Sequence, residues 1–149
     1  MPTLFSGGCA CGAIRYECTA EPLLVWKCHC RDCQRFTGSA FTMVVVFPAS
    51  AFTFTKGEPT YYGSKGESGR TLYRGFCPAC GAPVGTRVEA FPDIRPVHAA
   101  SLDDPSSLEP LADIWTSSAQ PWDYLNPALP KYAHQPTDEQ IQKLMAARS

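Results

Sequence analysis

The sequence predicts a mainly β protein of short strands, and two observations support this fold class. The chain has 11 glycines and 14 prolines among 149 residues, and these turn-forming residues separate short β-branched and aromatic runs. Only two short segments have a helical pattern. The composition, 44% hydrophobic and 18% charged, is that of one globular domain with a core. We therefore predict one domain over residues 1–135, followed by a C-terminal helix over residues 136–149 that packs on it or extends from it.

The first predicted strand shows a clear alternation of apolar and polar residues. Within residues 13–18, Ile14, Tyr16 and Cys18 share one face, as expected of a half-buried strand. Cys18 has no cysteine close in sequence, so we expect it to pack in the core as a small hydrophobe. A turn at Gly7-Gly8 precedes this strand, and a polar, Gly-rich loop is predicted over residues 64–69. Further strands are predicted over residues 23–27, 41–47, 51–55, 60–62, 70–74, 83–88 and 94–100.

The two helical segments carry recognisable end signals. Residues 32–38 form a short helical turn, which Gly38 ends in the left-handed conformation. Near the C-terminus, Thr137 and Gln140 have the spacing of a capping box, and apolar residues follow on one helix face. The sequence thus predicts where each helix begins or ends.

Three cysteines within six residues form the most informative group. Cys28, Cys30 and Cys33 combine a C-x-C and a C-x-x-C spacing, so their thiols can all turn onto one metal ion. With three protein ligands, a zinc ion keeps a position for water or substrate, as in a catalytic site. A fourth protein ligand would instead close the site and make it structural, and the spacing leaves both alternatives open. The candidates for that ligand are Cys18, His29 and His98.

The other four clustered cysteines form two pairs. Cys9 and Cys11 lie between glycines, and Cys77 and Cys80 lie in a C-P-x-C-G sequence that is typical of a zinc knuckle. Two thiols cannot complete a tetrahedral site, so we expect the two pairs to share one ion. A redox dithiol is less consistent with the second pair, because the thioredoxin motif begins a helix and Pro83 follows closely here.

Charge and hydropathy exclude several classes of protein. The formal net charge is −1 and the pI is near 6.3, and the absence of a basic patch or tail argues against nucleic acid as a partner. The N-terminus lacks the basic and apolar regions of a signal peptide, and no stretch approaches the roughly 20 apolar residues of a membrane span. We therefore expect a cytoplasmic protein that binds neither nucleic acid nor membranes. The sequence gives no prediction of the oligomeric state.

Three motifs together resemble one known family. They are GGCACG at residues 7–12, CHCRDCQR at residues 28–35 with TGSAF at residues 37–41, and FCPACG at residues 76–81. In this order, they resemble the glutathione-dependent formaldehyde-activating enzyme family, which also includes centromere protein V. The resemblance extends from about Phe5 to Trp122.

The resemblance implies a fold, two metal sites and an activity. The family has a β-tent fold of short antiparallel strands around a structural zinc on four cysteines and a catalytic zinc on three. The implied activity is that of a carbon-sulfur lyase. It adds glutathione, the co-substrate, to formaldehyde, and the product is S-hydroxymethylglutathione. The implied partners are therefore a small thiol and an aldehyde. Matched residue by residue, the structural zinc ligands are Cys9, Cys11, Cys77 and Cys80, and the catalytic zinc ligands are Cys28, Cys30 and Cys33.

Two arginines beside the three-cysteine group are candidates for substrate binding. With Lys27 and against Asp32, Arg31 and Arg35 make this stretch locally positive, so they can bind the two carboxylates of glutathione. The alternative is that they are solvated surface charges. His29 is flanked by the cysteines, so we expect its ring to point away from the metal and to make a supporting hydrogen bond.

Three further residues have structural predictions. His98 lies on a predicted strand and is expected to be structural rather than catalytic. Trp115 and Trp122 are expected to lie in the core or to form a pocket wall.

A different class of function is also consistent with these motifs. Centromere protein V suggests macromolecular partners, so the chain can instead be a zinc-stabilised protein-interaction module without catalysis. The two classes differ at the three-cysteine site, which faces a pocket in the enzyme and is closed in the module.

Overall fold

A computed structural model describes residues 2–66 and 69–148. Within these residues the chain forms eleven strands and two α-helices, which confirms the prediction of a mainly β fold with a short C-terminal helix. The helices are α1 (Arg31–Thr37) and α2 (Asp138–Arg148). The strands are β1 (Phe5–Gly8), β2 (Arg15–Cys18), β3 (Leu24–Cys28), β4 (Thr42–Pro48), β5 (Phe52–Lys56), β6 (Thr60–Lys65), β7 (Thr71–Phe76), β8 (Pro83–Val88), β9 (Ile94–His98), β10 (Asp113–Ile114) and β11 (Lys131–Tyr132).

Contacts group these elements into two compact units, each made of two chain segments. The first unit comprises Met1–Leu23 and Val45–Ser107, and the second comprises Leu24–Val44 and Leu108–Ser149. Helix α2 belongs to the second unit, where it packs on β3. The division of the chain at residue 135 stays a prediction.

The first unit contains two antiparallel arrangements of strands. Strand β2 pairs with β1 on one side and with β5 on the other, and β6, β7, β8 and β9 pair in sequence order. Ile14, Tyr16 and Cys18 are buried while Glu17 is exposed, so the predicted alternation is confirmed. Cys18 is a core residue whose thiol donates to the carbonyl oxygen of Ala20.

Gly7 and Gly8 lie in β1 rather than in the predicted turn. At Gly7 a Cβ atom would collide with the Tyr16 hydroxyl and the Ser101 carbonyl oxygen. The glycine is therefore needed for the close approach of a side chain from the neighbouring strand, and not for a turn.

Two other boundaries differ from the prediction. Strand β6 continues to Lys65, so the predicted polar loop over residues 64–69 begins later, and Glu67 and Ser68 of that loop lie outside the described residues. The terminal residues Met1 and Ser149 lie outside them as well. Strand β9 ends at His98, because the chain turns into a 3-10 helix at Ala99–Ser101.

The second unit places β10 between β3 and β11, parallel to both. This parallel pairing departs from the expectation of antiparallel strands. It is fixed by backbone hydrogen bonds from Leu111 N to Val25 O, from Lys27 N to Ala112 O and from His29 N to Ile114 O. Because these bonds continue past the end of β3, they hold the backbone of the three-cysteine segment.

Both helices have the predicted end signals. Gly38 follows α1 with φ of 69° and donates its backbone N–H to the Gln34 carbonyl oxygen. At α2, Thr137 Oγ1 accepts from Gln140 N at 3.2 Å, while Gln140 Oε1 accepts from Thr137 N at 2.9 Å. These reciprocal bonds are those of a capping box. Within the described residues, neither helix has the length and apolarity needed to span a membrane.

Candidate functional site

Four cysteine sulfurs meet in the first unit. Cys9 and Cys11 follow β1, and Cys77 and Cys80 follow β7. The four Sγ atoms all lie within 4.8 Å of one another, with 3.7 Å between those of Cys9 and Cys11 and 3.8 Å between those of Cys11 and Cys77. All four thiols are free. The fold therefore brings together the two pairs that the sequence predicts to share an ion, and four thiols at this spacing can hold a metal.

Backbone amides point at two of these sulfurs. The N–H of Ile14 donates to Cys9 Sγ at 3.2 Å, and the N–H of Ala79 donates to Cys77 Sγ at 3.4 Å. Gly81 adopts φ of 77° and returns its N–H to the carbonyl oxygen of Cys77 at 2.7 Å. Amide hydrogens around sulfur stabilise thiolate, which is the form that binds a metal.

The pKa values of two thiols in this group are shifted in opposite directions. Burial raises the pKa of Cys9, but the Ile14 N–H and the neighbouring thiols outweigh it and bring that pKa down to about 6. At Cys11 the backbone of Ala13 lowers the pKa, yet the neighbouring thiols and burial raise it to about 11. Because a ligating thiol must lose its proton, metal binding here releases protons.

The second cysteine group lies in the second unit, where β3 meets α1. Cys28 ends β3, Cys30 is the N-cap of α1, and Cys33 lies in its first turn. Their Sγ atoms lie within 4.8 Å of one another, and within the described chain no fourth cysteine, histidine or carboxylate joins them. Cys30 Sγ accepts the backbone N–H of Cys33 at 3.3 Å, so the cap of the helix is itself a candidate ligand.

The environment of Cys28 differs from that of its neighbours. Cys28 is buried, whereas Cys30 and Cys33 are half-buried. The thiols of Cys30 and Cys33, followed by burial, raise the pKa of Cys28 well above its usual range. A cation among the three sulfurs would offset their mutual repulsion as thiolates.

His29 points away from the cysteines, as predicted. Its ring is fully buried, and Nε2 donates to Asp113 Oδ1 at 2.8 Å. Asp113 Oδ2 accepts in turn from Lys131 Nζ at 3.2 Å. On the other side of the ring, Nδ1 lies 3.7 Å from Asp123 Oδ2, and neither atom has a hydrogen-bond partner in the described structure. His29 is thus held by a hydrogen bond at Nε2, with the Asp123 carboxylate near Nδ1, and is not part of the cysteine group.

The second unit contains a cavity of about 350 Å³, whose lining includes Arg31 of the three-cysteine segment but none of the three cysteines. Arg31 and Arg35 of α1 line it, together with Gln34, the loop at residues 38–40 and Trp122. Trp122 lines the cavity and is 72% exposed, so it is a pocket wall rather than a core residue, which is one of its two predicted positions. Both arginines are exposed, which leaves their guanidinium groups available to a ligand.

The two remaining sequence-predicted residues, His98 and Trp115, belong to neither cysteine group and do not line the cavity. Burial, with a smaller contribution from Arg74, lowers the pKa of His98 to about 4, as expected of a neutral packed imidazole. Trp115 is half-buried and packs edge-on against His134.

Three residues that support the site were not found from the sequence. Two of them lie beside the His29 ring, Asp113 and Asp123, and the third, Lys131, donates to Asp113. All three lie more than eighty residues away from His29 along the chain. The only local signal in the sequence is the position of Asp113 between the apolar residues Ala112 and Ile114, an unusual place for a carboxylate without a partner.

Known proteins identify the family. The model of the glutathione-dependent formaldehyde-activating enzyme family matches residues 4–118, which is more than half of the chain. No curated protein sequence matches the chain. The crystal structure of a Rhodobacter sphaeroides protein is similar in fold, with a TM-score of 0.54 and 20% identity over 85% of this chain and 98% of that chain. The matched residues include both cysteine groups, and the chain belongs to the glutathione-dependent formaldehyde-activating enzyme family.

Proposed function

We propose that the chain is a zinc-dependent carbon-sulfur lyase that adds the thiol of glutathione, or of a related small thiol, to formaldehyde or a similar aldehyde. The observation that carries the proposal is the group of three thiols, which no fourth ligand joins within the described residues, on a segment whose Arg31 lines a cavity together with Arg35. Membership of the family supports the same reaction. The expected compartment is the cytoplasm.

The donor atoms fit zinc at both cysteine groups. Thiolate sulfur is a preferred zinc ligand, and amide hydrogens directed at Cys9, Cys30 and Cys77 are typical of such sites. We assign a structural zinc to Cys9, Cys11, Cys77 and Cys80, and a catalytic zinc to Cys28, Cys30 and Cys33. Zinc bound by three thiolates supplies an exchangeable position at which an incoming thiol is held as thiolate at neutral pH.

The residues around the cavity orient the thiol substrate. Arg31 and Arg35 offer guanidinium groups to the two carboxylates of glutathione. The indole of Trp122 provides an apolar wall against which the peptide packs. His29 and Asp113 hold the backbone between Cys28 and Cys30 in place, so the sulfurs keep their relative positions when a ligand enters.

The reaction needs no further reactant. The sulfur forms a bond to the carbonyl carbon, the carbonyl π pair moves to oxygen, and that oxygen takes up the proton that the thiol has lost. The product, a hydroxymethyl thioether, contains all the atoms of both substrates. No group on this chain has to be oxidised or reduced.

Binding of glutathione to the zinc-loaded protein tests the proposal. Calorimetry should show tighter binding at pH 8 than at pH 6, because the thiol loses its proton more readily at the higher pH. S-methylglutathione should bind much more weakly and with little pH dependence. Conversion of ¹³C-labelled formaldehyde to the adduct, followed by NMR, should be faster with this protein than with its Cys30→Ser variant.

The alternative function makes the opposite prediction. A protein-interaction module with a closed zinc site would bind glutathione and S-methylglutathione alike or bind neither. Either result would overturn the enzyme and favour the module.

A further inference from the structure

Gln34 is a buried polar residue to which neither the sequence motifs nor the proposed reaction assigns a role. It lies in α1 between Cys33 and Arg35, and only 5% of it is exposed. A primary amide has two donor hydrogens and two acceptor lone pairs, and each one left unpaired in the interior costs free energy. The partners of Gln34 therefore indicate what the residue is for.

All four hydrogen-bonding capacities of the amide are used. Nε2 donates to the carbonyl oxygen of His29 at 2.7 Å and to that of Ser118 at 3.0 Å. Oε1 accepts from Arg31 Nη1 at 2.5 Å and from Gln120 Nε2 at 3.0 Å. The orientation of the amide follows from these partners, because a flipped group would set its hydrogens against two donors and its oxygen against two carbonyls.

These partners belong to the two halves of the proposed site. The His29 carbonyl lies between Cys28 and Cys30, so one donor bond ties the amide to the metal-binding segment. The Arg31 guanidinium lines the cavity, so one acceptor bond ties the amide to the proposed carboxylate-binding group. An exposed arginine without such a bond samples many rotamers, which weakens its contact with a ligand.

We propose that Gln34 is a positioning residue that holds Arg31 at a fixed place beside the three-cysteine segment, so that the site selects thiols carrying a carboxylate over neutral thiols. The inference rests on the proposed function, since it takes Arg31 as the group that meets the substrate. The donor bonds to His29 and Ser118 keep the amide from turning. The acceptor bond then restricts the rotamers of Arg31 at the edge of the cavity. Arg31 therefore loses less conformational entropy when a ligand binds.

The test compares a charged and a neutral thiol in a double-mutant cycle. Glutathione and 2-mercaptoethanol are titrated into zinc-loaded wild type, Gln34→Met, Arg31→Gln and the double variant, at equal zinc content. Gln34→Met should weaken glutathione binding about tenfold, the typical effect of losing one charge-assisted contact. Binding of 2-mercaptoethanol should change by less than about twofold, and Gln34→Met should add little once Arg31 is replaced.

A second variant covers the case in which Gln34→Met does not fold. Arg31→Lys, at an exposed position, keeps the positive charge but loses the guanidinium bond to Gln34 Oε1, so glutathione binding should weaken while 2-mercaptoethanol binding should not. Gln142→Met, on the exposed face of α2, is the matched control and should leave both affinities unchanged.

Three results would overturn the inference. They are unchanged glutathione affinity in folded Gln34→Met or in Arg31→Lys, an equal loss of affinity for glutathione and 2-mercaptoethanol, and an undiminished effect of Gln34→Met when Arg31 is already replaced. Failure of the proposed function looks different. Wild type would then bind S-methylglutathione as tightly as glutathione. Gln34→Met would still weaken the binding of these two peptides equally. Wild type that binds neither peptide would overturn both.

Discussion

His29 donates a hydrogen bond to Asp113 across 2.8 Å, and neither side chain has any exposed surface. His29 lies between two of the three clustered cysteines, while Asp113 begins a two-residue strand far along the chain. Asp113 is also paired with Lys131. The carboxylate therefore fixes the segment that carries the proposed catalytic zinc ligands.

Replacing Asp113 by asparagine should destabilise the protein and loosen the three-cysteine site. The change keeps the side-chain volume but removes the negative charge that accepts hydrogen bonds from buried His29 and from Lys131, at a cost of about 2 kcal/mol in the free energy of unfolding. Urea denaturation at fixed zinc concentration measures this cost. Asp93→Asn at an exposed position is the control. Equal stability of the two variants would show that the buried pair contributes nothing.

Zinc should leave the two cysteine groups at different chelator concentrations. Four thiolates drawn from two distant parts of the chain bind zinc more firmly than three thiolates with an exchangeable fourth ligand. Metal analysis during a chelator titration should therefore show two phases of one ion each. A single phase that releases both ions would contradict the distinction between a structural and a catalytic site.

Serine substitutions should separate the cysteines by role. Cys77→Ser removes a buried ligand that links two chain segments, so it should impair folding. Cys30→Ser should leave a folded protein without thiol-dependent activity, and Cys18→Ser, in the core, should affect zinc content at neither site. Thermal melts and zinc content of the three variants provide the measurement. Equal losses of stability in all three would mean that these roles are assigned wrongly.

Acid should destabilise the protein partly through His98. Burial lowers the pKa of this histidine to about 4 in the folded state, whereas in the unfolded chain it is about 6.5. The unfolded chain then binds the proton first, so the contribution is constant above pH 6.5 and falls as the pH drops towards 4. The total loss is about 3 kcal/mol.

A His98→Gln variant isolates this contribution. The difference in free energy of unfolding between wild type and variant should change by about 3 kcal/mol between pH 7 and pH 4. Zinc release at low pH affects both proteins, so its effect cancels in this difference. Urea denaturation across this range measures it. A difference that does not vary with pH would contradict the assignment.

Local spacing and periodicity in the sequence predicted the burial pattern of one strand, the cap of helix α2 and the clusters of metal-binding cysteines. The alternation at residues 13–18 predicted which side chains of β2 are buried, because side chains of a strand point to opposite faces in turn. The capping-box residues Thr137 and Gln140 bond as predicted, since a cap involves groups only three residues apart. Each cysteine pair and the three-cysteine group were found in the same way, because thiols two or three residues apart along the chain can turn onto one ion.

Tertiary structure decided the contacts between residues that are distant in sequence. Nothing around His29 indicates Asp113, and nothing around Gln34 indicates Ser118 or Gln120, because a buried polar group takes whichever partner the packing of the chain brings to it. The two-residue strands β10 and β11 are too short to carry a periodic signal. Sequence alone therefore identified the groups that can hold metal, while the fold determined which side chains hold those groups in position.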